Sequence, residues 1–428
     1  MSRRPATLSV VALAAAALTL AACGSETPSA GGVQEPVGTD NSSPAEGDKG
    51  MLTVGLLNPV TGPFAALGED VNAAFELYVE QNGGTLGGYG IEIVKEDTAN
   101  DPGIATQKAR QLVEQADAGI VVGLVNSGVA YAVAPYMKDA GVPLLITVAG
   151  ADGLTRTEDG NIFRVSYTSS QDTMPAGDYV CNELGHKTAS IVALDYSFGW
   201  EAAGGFARTY EDAGCEVVQE LYAPLATQDW APYVTQIDRE ADVVFAVTPG
   251  SDAVRFFKAA KGFGLETPIF AHGSTTDEQL LPTMGDTAEG VMTSLHYSPL
   301  IDSPANQEFV SAWTEATDRP ANQYAEDGWA AAQTLEAALS GLEGDATGEA
   351  IGGALPEVQI EAPRGPLSFD DYGQAVYDVY FREVVQQDGE WVNEVVDSVA
   401  GVDQFYDYEP EEYLQFPGYD KLKGTWAK

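Results

Sequence analysis

Val243-Val244-Phe245-Ala246-Val247 is a run of five apolar residues, closed by Thr248-Pro249-Gly250 and followed from Ser251 to Phe263 by apolar residues at helical spacing. A half-exposed strand alternates apolar and polar residues. A strand apolar at every position is covered on both faces, as in a parallel sheet sandwiched between helices. The same rhythm runs outward in both directions. Upstream, Leu52 to Leu57, Ile91 to Lys95, Gly119 to Leu124, Val142 to Thr147, Ile191 to Asp195 and Val217 to Leu221 read as strands. Gly68 to Gln81, Asp101 to Gln115, Gly128 to Ala140, Trp200 to Ala213 and Trp230 to Arg239 read as the intervening helices, and downstream Pro268 to Ala271 adds a further strand. No period of 20 to 50 residues repeats, which argues against a solenoid. The βα units exceed the comfortable width of one sheet, so the fold class expected is α/β with two doubly wound parallel-sheet lobes. In such sheets ligands sit outside the carboxyl ends of the strands, which directs attention to the loops that follow them.

Composition narrows the partners. The chain has 428 residues, with 21 Lys and Arg against 64 Asp and Glu, for a formal charge of −43. Nucleic-acid binding needs a cationic stripe to displace counterions from phosphates, and no Lys/Arg cluster offers one. An anionic bilayer surface is an equally poor partner. At 44% hydrophobic the chain carries enough apolar material for a core, so it is not an acidic disordered tail. The acidity itself keeps a surface hydrated and says nothing about a ligand.

The N-terminus supplies an address. Arg3 and Arg4 precede an apolar run from Val10 to Leu20, interrupted only by Thr19, which reads as a secretory signal over residues 1–22. The run ends in Leu20-Ala21-Ala22-Cys23-Gly24, similar to the lipobox of bacterial lipoproteins, where the cysteine thiol accepts a diacylglycerol. Cys23 is thus the expected lipidation site and the new N-terminus, anchoring the chain to the outer side of the cell membrane; the alternative is an ordinary cleavage site that precedes a cysteine. Residues 23–50, rich in Gly, Ser, Pro, Thr and acids, read as a flexible tether. The other thiols, Cys181 and Cys215, lie late in expected helices, just before strands at 188–194 and 216–221. A disulfide between them is geometrically open, because in consecutive parallel units those helix ends reach the same sheet edge.

Signatures of catalysis are missing. There is no HExxH, no GxSxG and no P-loop, and His186, His272 and His296 are far apart in sequence. The glycine-rich Gly84 to Gly90 precedes a strand, whereas a dinucleotide loop follows one, so a helix-to-strand turn is expected there. With 64 acids in the chain, neighbouring carboxylates carry no information about acid/base chemistry. No cofactor, no metal and no enzymatic activity are expected.

The strand-end loops carry a resemblance. Val54 to Gly68, with its Asn58-Pro59-Val60-Thr61-Gly62-Pro63 centre, is followed by Asp97-Thr98-Ala99-Asn100-Asp101-Pro102, Gly123-Leu124-Val125-Asn126-Ser127-Gly128 and Gly141-Val142-Pro143. Then come Phe163-Arg164-Val165-Ser166, Asp195-Tyr196-Ser197-Phe198-Gly199 and Ala288-Glu289-Gly290-Val291. In that order and spacing the chain resembles the leucine/isoleucine/valine-type periplasmic solute-binding proteins of ABC importers, over about Leu52 to Phe416. The resemblance implies the periplasmic-binding-protein type I fold, two lobes joined by three crossover hinge strands. It implies lobe 1 from 51–168 and 298–365, and lobe 2 from 169–297 and 366–428. A small carboxylate or amino-acid ligand, an ABC permease partner and a monomeric chain follow from it.

Within that frame the residues suggest a site. Asn126-Ser127-Gly128 follows a buried strand and opens a helix, so a hydroxyl and amides at a positive helix end form a carboxylate cradle. In the family the serine corresponding to Ser127 binds the ligand's carboxylate; a plain N-cap role for Ser127 is compatible with this. The loop Val148-Ala149-Gly150-Ala151 would leave backbone N–H groups for the same oxygens. Phe64 and Leu67 from one lobe, with Tyr196, Phe198 and Trp200 from the other and His272 after a strand, would form the wall, unless those aromatics serve only packing. The amino-acid binders carry a threonine in the second loop and a glutamate after a second-lobe strand to hold an ammonium group. Here Gly150 and Ala271-His272-Gly273-Ser274 stand there. Either Asp195, Glu201 or Asp277 substitutes, or the ligand has no amine, as the C-terminal segment Gly365 to Phe369 and onward, similar to the aromatic-acid branch, suggests. A sensing lobe for a signalling partner and a secreted hydrolase are the rival readings.

Overall fold

The computed structural model describes residues 47–157 and 161–427. The signal segment, Cys23 and most of the expected tether lie outside the described residues. Its last residues are held instead of free: Lys49 N donates to Gly88 O at 3.0 Å and Gly90 N to Gly50 O at 2.8 Å.

The first lobe is built on β1 (Met51–Asn58), β2 (Thr85–Leu86), β3 (Tyr89–Asp97), β4 (Ile120–Gly123), β5 (Leu144–Ile146) and β6 (Ile162–Arg164), in the order β2-β3-β1-β4-β5-β6. Its strands are parallel except β2, which is antiparallel to β3. Gly87 and Gly88, both at positive φ (54° and 92°), make the tight turn between them. The glycine-rich stretch is therefore a hairpin and not a simple helix-to-strand connection. Helices α1 (Ala65–Gln81), α2 (Pro102–Glu114) and α3 (Ser127–Ala140) cross between the strands.

The second lobe opens with α4 (Met174–Asn182) and alternates β7 (Thr188–Leu194), α5 (Ser197–Asp212), β8 (Glu216–Ala223), α6 (Ala231–Val234), β9 (Val243–Val247), α7 (Ser251–Gly262), β10 (Ile269–His272), α8 (Leu281–Met284) and β11 (Met292–Leu295). The five residues of β9 are all buried, between Ala189 to Ala193 of β7 on one side and Ile269 to Ala271 of β10 on the other. The helix expected over Trp230 to Arg239 shortens to one α-turn, because Gln236 N and Ile237 N return to Tyr233 O and Val234 O in tighter i→i+3 bonds. The disulfide Cys181–Cys215 ties the end of α4 to the turn before β8.

The chain then returns to the first lobe as α9 (Pro304–Thr317), α10 (Gln323–Ser340) and α11 (Gly348–Ala354), where Leu335, Leu339, Ile351 and Leu355 share a core with Leu52, Val54 and Phe75. It crosses again through β12 (Gln359–Ala362) and β13 (Gly365–Phe369) into the long hairpin β14 (Ala375–Gln387) and β15 (Glu390–Val402). The second sheet runs β12-β13-β14-β11-β10-β9-β7-β8, with β15 on β14. Because β14 is antiparallel to β11, β13 and β15, this sheet is mixed where a wholly parallel one was expected. Returning hairpin strands need no crossover helix, so they add antiparallel. Three segments thus connect the two sheets, and α12 (Pro410–Tyr413) and α13 (Tyr419–Leu422) close the chain over α5.

Candidate functional site

The site is assembled where the connecting segments meet the carboxyl ends of both sheets. The N-cap of α3 is Asn126, whose Oδ1 accepts from Gly128 N at 2.7 Å and Val129 N at 3.3 Å. This corrects two expectations. Ser127 is the first helical residue and not the cap, and the Gly128 amide is already satisfied and not offered to a ligand. Freed from capping, Ser127 Oγ accepts from Ala151 N at 3.1 Å, which brings the two expected cradle loops together.

The second loop is also less open than its small side chains suggest. Val148 N and Ala149 N donate to Leu124 O, and Asp152 N donates to Glu201 Oε2 at 3.4 Å across the lobes. Gly150 N is the one amide of the 148–152 run with no acceptor among the described residues, although Gly150 is buried. An unmet buried amide is costly, so it marks where an acceptor is wanted. Arg164, fully buried at the end of β6, fixes the loop from below: its Nη1 donates to Ala149 O at 2.7 Å and Ala151 O at 2.9 Å, and its Nε to Gln374 at 2.6 Å. Burial holds this guanidinium down at about 10. Ser169 N and Oγ hold Gly150 O at 2.6 and 2.8 Å, and a Cβ on Gly150 would press on Ser169 Oγ and the Tyr167 ring at 3.1 Å.

An aromatic wall follows. Phe198 meets His272 edge-on at 4.9 Å and Tyr196 at 5.9 Å between ring centroids, and Tyr167 contacts His272 at 5.4 Å and Phe198 at 6.3 Å. From the first lobe, Leu67 packs with Val71, Val148 and Tyr324. Burial pushes the phenols of Tyr167, Tyr196 and Tyr324 up, so all three remain neutral hydrogen-bonding groups. His272 Nδ1 accepts from Ser274 N at 3.1 Å, and burial, with Arg382 nearby, holds the ring down at about 3. It is therefore a neutral imidazole.

Two expected wall residues fall outside this group. Trp200 turns to the surface, donating from Nε1 to Asp195 Oδ1 at 2.8 Å under the ammonium of Lys423. Phe64 precedes α1, half-buried, and makes no ring contact with another aromatic among the described residues. Tyr167, Tyr324, Arg164 and Asp152 were not singled out in the sequence as site residues. Arg164 stands in the Phe163-Arg164-Val165-Ser166 motif, but nothing local says that its partners come from residues 149, 151 and 374.

The acids named as substitutes for an ammonium partner are engaged. Asp195 is paired with Lys423, and Asp277 Oδ2 accepts from Gln323 Nε2 at 3.3 Å. Glu201 faces Asp152, and burial followed by that neighbour raises it to about 8. Behind the wall, His296, Glu326 and Asp327 lie close enough to share a cation, but the Arg364 guanidinium pairs with both Glu326 and Asp327 there.

Chemically the site offers one buried free amide beside a serine hydroxyl, then an aromatic box with neutral polar tips. A family model described as periplasmic binding protein matches residues 51–390. The chain belongs to the periplasmic binding protein family. It is accordingly a binding protein and not an enzyme, and it works outside the cytoplasm. Among its relatives, Leu/Ile/Val-binding protein homolog 6 of Brucella melitensis is 31% identical over 81% of this chain and 91% of its own length. An ABC transporter substrate-binding protein from Sphaerobacter thermophilus is 32% identical, with a TM-score of 0.80 over 82% of this chain and 99% of its own. A solute-binding protein of an ABC transporter from Rhodopseudomonas palustris BisB5, solved with 3,4-dihydroxybenzoic acid, is 30% identical, with a TM-score of 0.77 over 83% of this chain and 98% of its own.

Proposed function

We propose that this chain is the solute receptor of an ABC importer, a monomer tethered to the membrane through a lipid on Cys23. It closes its lobes around a small amine-free carboxylate of the aromatic-acid kind and presents the closed form to a permease. The observation that carries the ligand class is the buried, acceptor-less Gly150 amide beside Ser127, while Asp195 is already paired with Lys423 and Asp277 is hydrogen-bonded to Gln323, leaving neither for an ammonium group. A carboxylate answers the first feature. An unpaired ammonium, costing several kcal/mol when buried, would not tolerate the second. The aromatic box of Tyr167, Phe198 and His272 suits a flat ring, and the R. palustris relative solved with 3,4-dihydroxybenzoic acid points the same way. The Brucella relative named for leucine, isoleucine and valine supports the second reading, a branched-chain amino acid.

A thermal-shift panel of the residues 47–428 body separates them, because a tight ligand raises stability by mass action. The expected result is a shift with benzoate or 3,4-dihydroxybenzoate and none with leucine, isoleucine or valine; the reverse pattern overturns the acid reading. Mass spectrometry of the membrane-extracted protein tests the anchor, which requires a diacylglyceryl group on Cys23.

A further inference from the structure

Ala151 and Asp152 present consecutive backbone N–H groups, and each lobe supplies one acceptor. Ser127 Oγ on α3 takes the first at 3.1 Å and Glu201 Oε2 on α5 takes the second at 3.4 Å. Glu201 therefore grips, with a carboxyl group, the loop on which a ligand's carboxylate is to sit. Around it stand Asp152 and Arg156 from the first-lobe loop, Arg164 from β6, Tyr131 from α3 and Ser169 from the connecting segment. The two cations are bonded to other groups, although the buried Arg156 Nε keeps no partner among the described residues. Arg156 Nη2 donates to Asp152 Oδ2 at 2.9 Å and Ser170 Oγ at 3.1 Å, and Arg164 is spent on Gln374 and the loop carbonyls. Two acids already share this corner, and an arriving carboxylate is a third.

We propose that Glu201 is a selectivity-determining residue that admits a carboxylate ligand only when it is itself a neutral acid. Ionised, it holds the Asp152 amide for itself and repels the ligand's charge; protonated, it closes the corner without repulsion. The inference rests on the carboxylate reading above. Burial and the Asp152 charge push Glu201 up to about 8, so the admitting form prevails at neutral pH and is lost above it.

The test is isothermal titration of the full-length protein, extracted in detergent, with benzoate, whose own carboxyl stays ionised throughout, at pH 6 to 9. The wild-type protein should bind about tenfold more weakly at pH 9 than at pH 6, following the protonated fraction, whereas Glu201→Gln should stay constant within about twofold. Asp152→Asn, which removes the like charge, should move the wild-type fall to lower pH. It provides a second reading if Glu201→Gln folds poorly by circular dichroism. Parallel profiles for wild type and Glu201→Gln, or a fall that Asp152→Asn does not move, overturn the proposal and leave the carboxylate reading standing. Failure of both proteins to bind benzoate and 3,4-dihydroxybenzoate at every pH removes the carboxylate reading, and this proposal with it.

Discussion

Gln279 of the second lobe donates from Nε2 to Asp70 Oδ2 of the first at 2.7 Å, a hydrogen bond to a buried carboxylate across the mouth between the lobes. Asp70 is fixed for this by Asn322 at 2.9 Å and by Arg319 at 2.6 Å, both from the first lobe. One side of the latch is thus rigid and the other arrives with the second lobe. A ligand shifts such a two-state equilibrium only by contacts made in the closed state, so any protein-protein bond of the closed state adds to apparent affinity. Gln279→Ala should leave Asp70 paired with Arg319 and Asn322, lose about 1 kcal/mol of closure and weaken ligand binding about fivefold. Small-angle scattering should find a larger radius of gyration in the variant without ligand.

Ser127→Ala should weaken a carboxylate ligand by about tenfold to a hundredfold, since hydrogen bonds to charged groups contribute about 1.5–3 kcal/mol. It also leaves Ala151 N without its acceptor. The helix itself should be untouched, because its cap is Asn126. Isothermal titration against unchanged circular dichroism checks both parts, and an unchanged affinity would show that Ser127 only organises the loop.

How far the sequence reached can be followed through single residues. The all-apolar run at Val243 announced a strand covered on both faces, and β9 is that strand. Ser127 and Gly150 could be singled out because a serine at a helix start and a loop of small side chains are local signals, and the structure brings their two loops together. The antiparallel β14 was missed as a sheet member because its partner β11 lies about ninety residues earlier, and strand pairing at that separation leaves no periodic trace. Arg164 was quoted in a motif, yet its work is done on carbonyls of Ala149 and Ala151 and on Gln374, a set defined only after folding. Trp200 was misplaced because aromatic identity cannot say that Asp195 and Lys423 would draw its ring outward.

Asp172 gives a pH prediction. It is fully buried between Tyr377, whose hydroxyl donates to Oδ1 at 3.0 Å, and His296 at 3.2 Å, with His272 at 4.0 Å and the Arg364 and Arg382 charges beyond. Burial prevails over these partners and raises it to about 7. An acid raised in the fold binds its proton more tightly there than in the unfolded chain. Its contribution to stability is therefore complete below the ordinary carboxyl range and is lost as pH rises through about 7. Burial and the neighbouring Glu278 raise Asp277 in the same direction. The melting temperature should fall between pH 5 and pH 8, and Asp172→Asn, which can still accept from Tyr377, should flatten part of that fall. A melting curve equally steep in the variant would assign the dependence elsewhere.

The disulfide offers a separation of stability from binding. Cys181 and Cys215 are 34 residues apart in sequence and stitch the end of α4 to the turn after α5, behind the core formed by Ile191, Phe206, Val217 and Phe245. That position is on the far side of β7 from its carboxyl end, where Tyr196 and Phe198 approach the site. Closing a loop of this size removes unfolded-chain entropy equivalent to about 3–4 kcal/mol. The double substitution Cys181→Ser with Cys215→Ser should lower the denaturation midpoint by a corresponding amount while leaving ligand affinity at neutral pH within about twofold, as expected of distant sites that share no partners. Chemical denaturation and titration on the same preparation measure both. A large loss of affinity in the folded variant would mean that the α4–α5 pair transmits strain to Glu201 and Phe198, since both lie on α5.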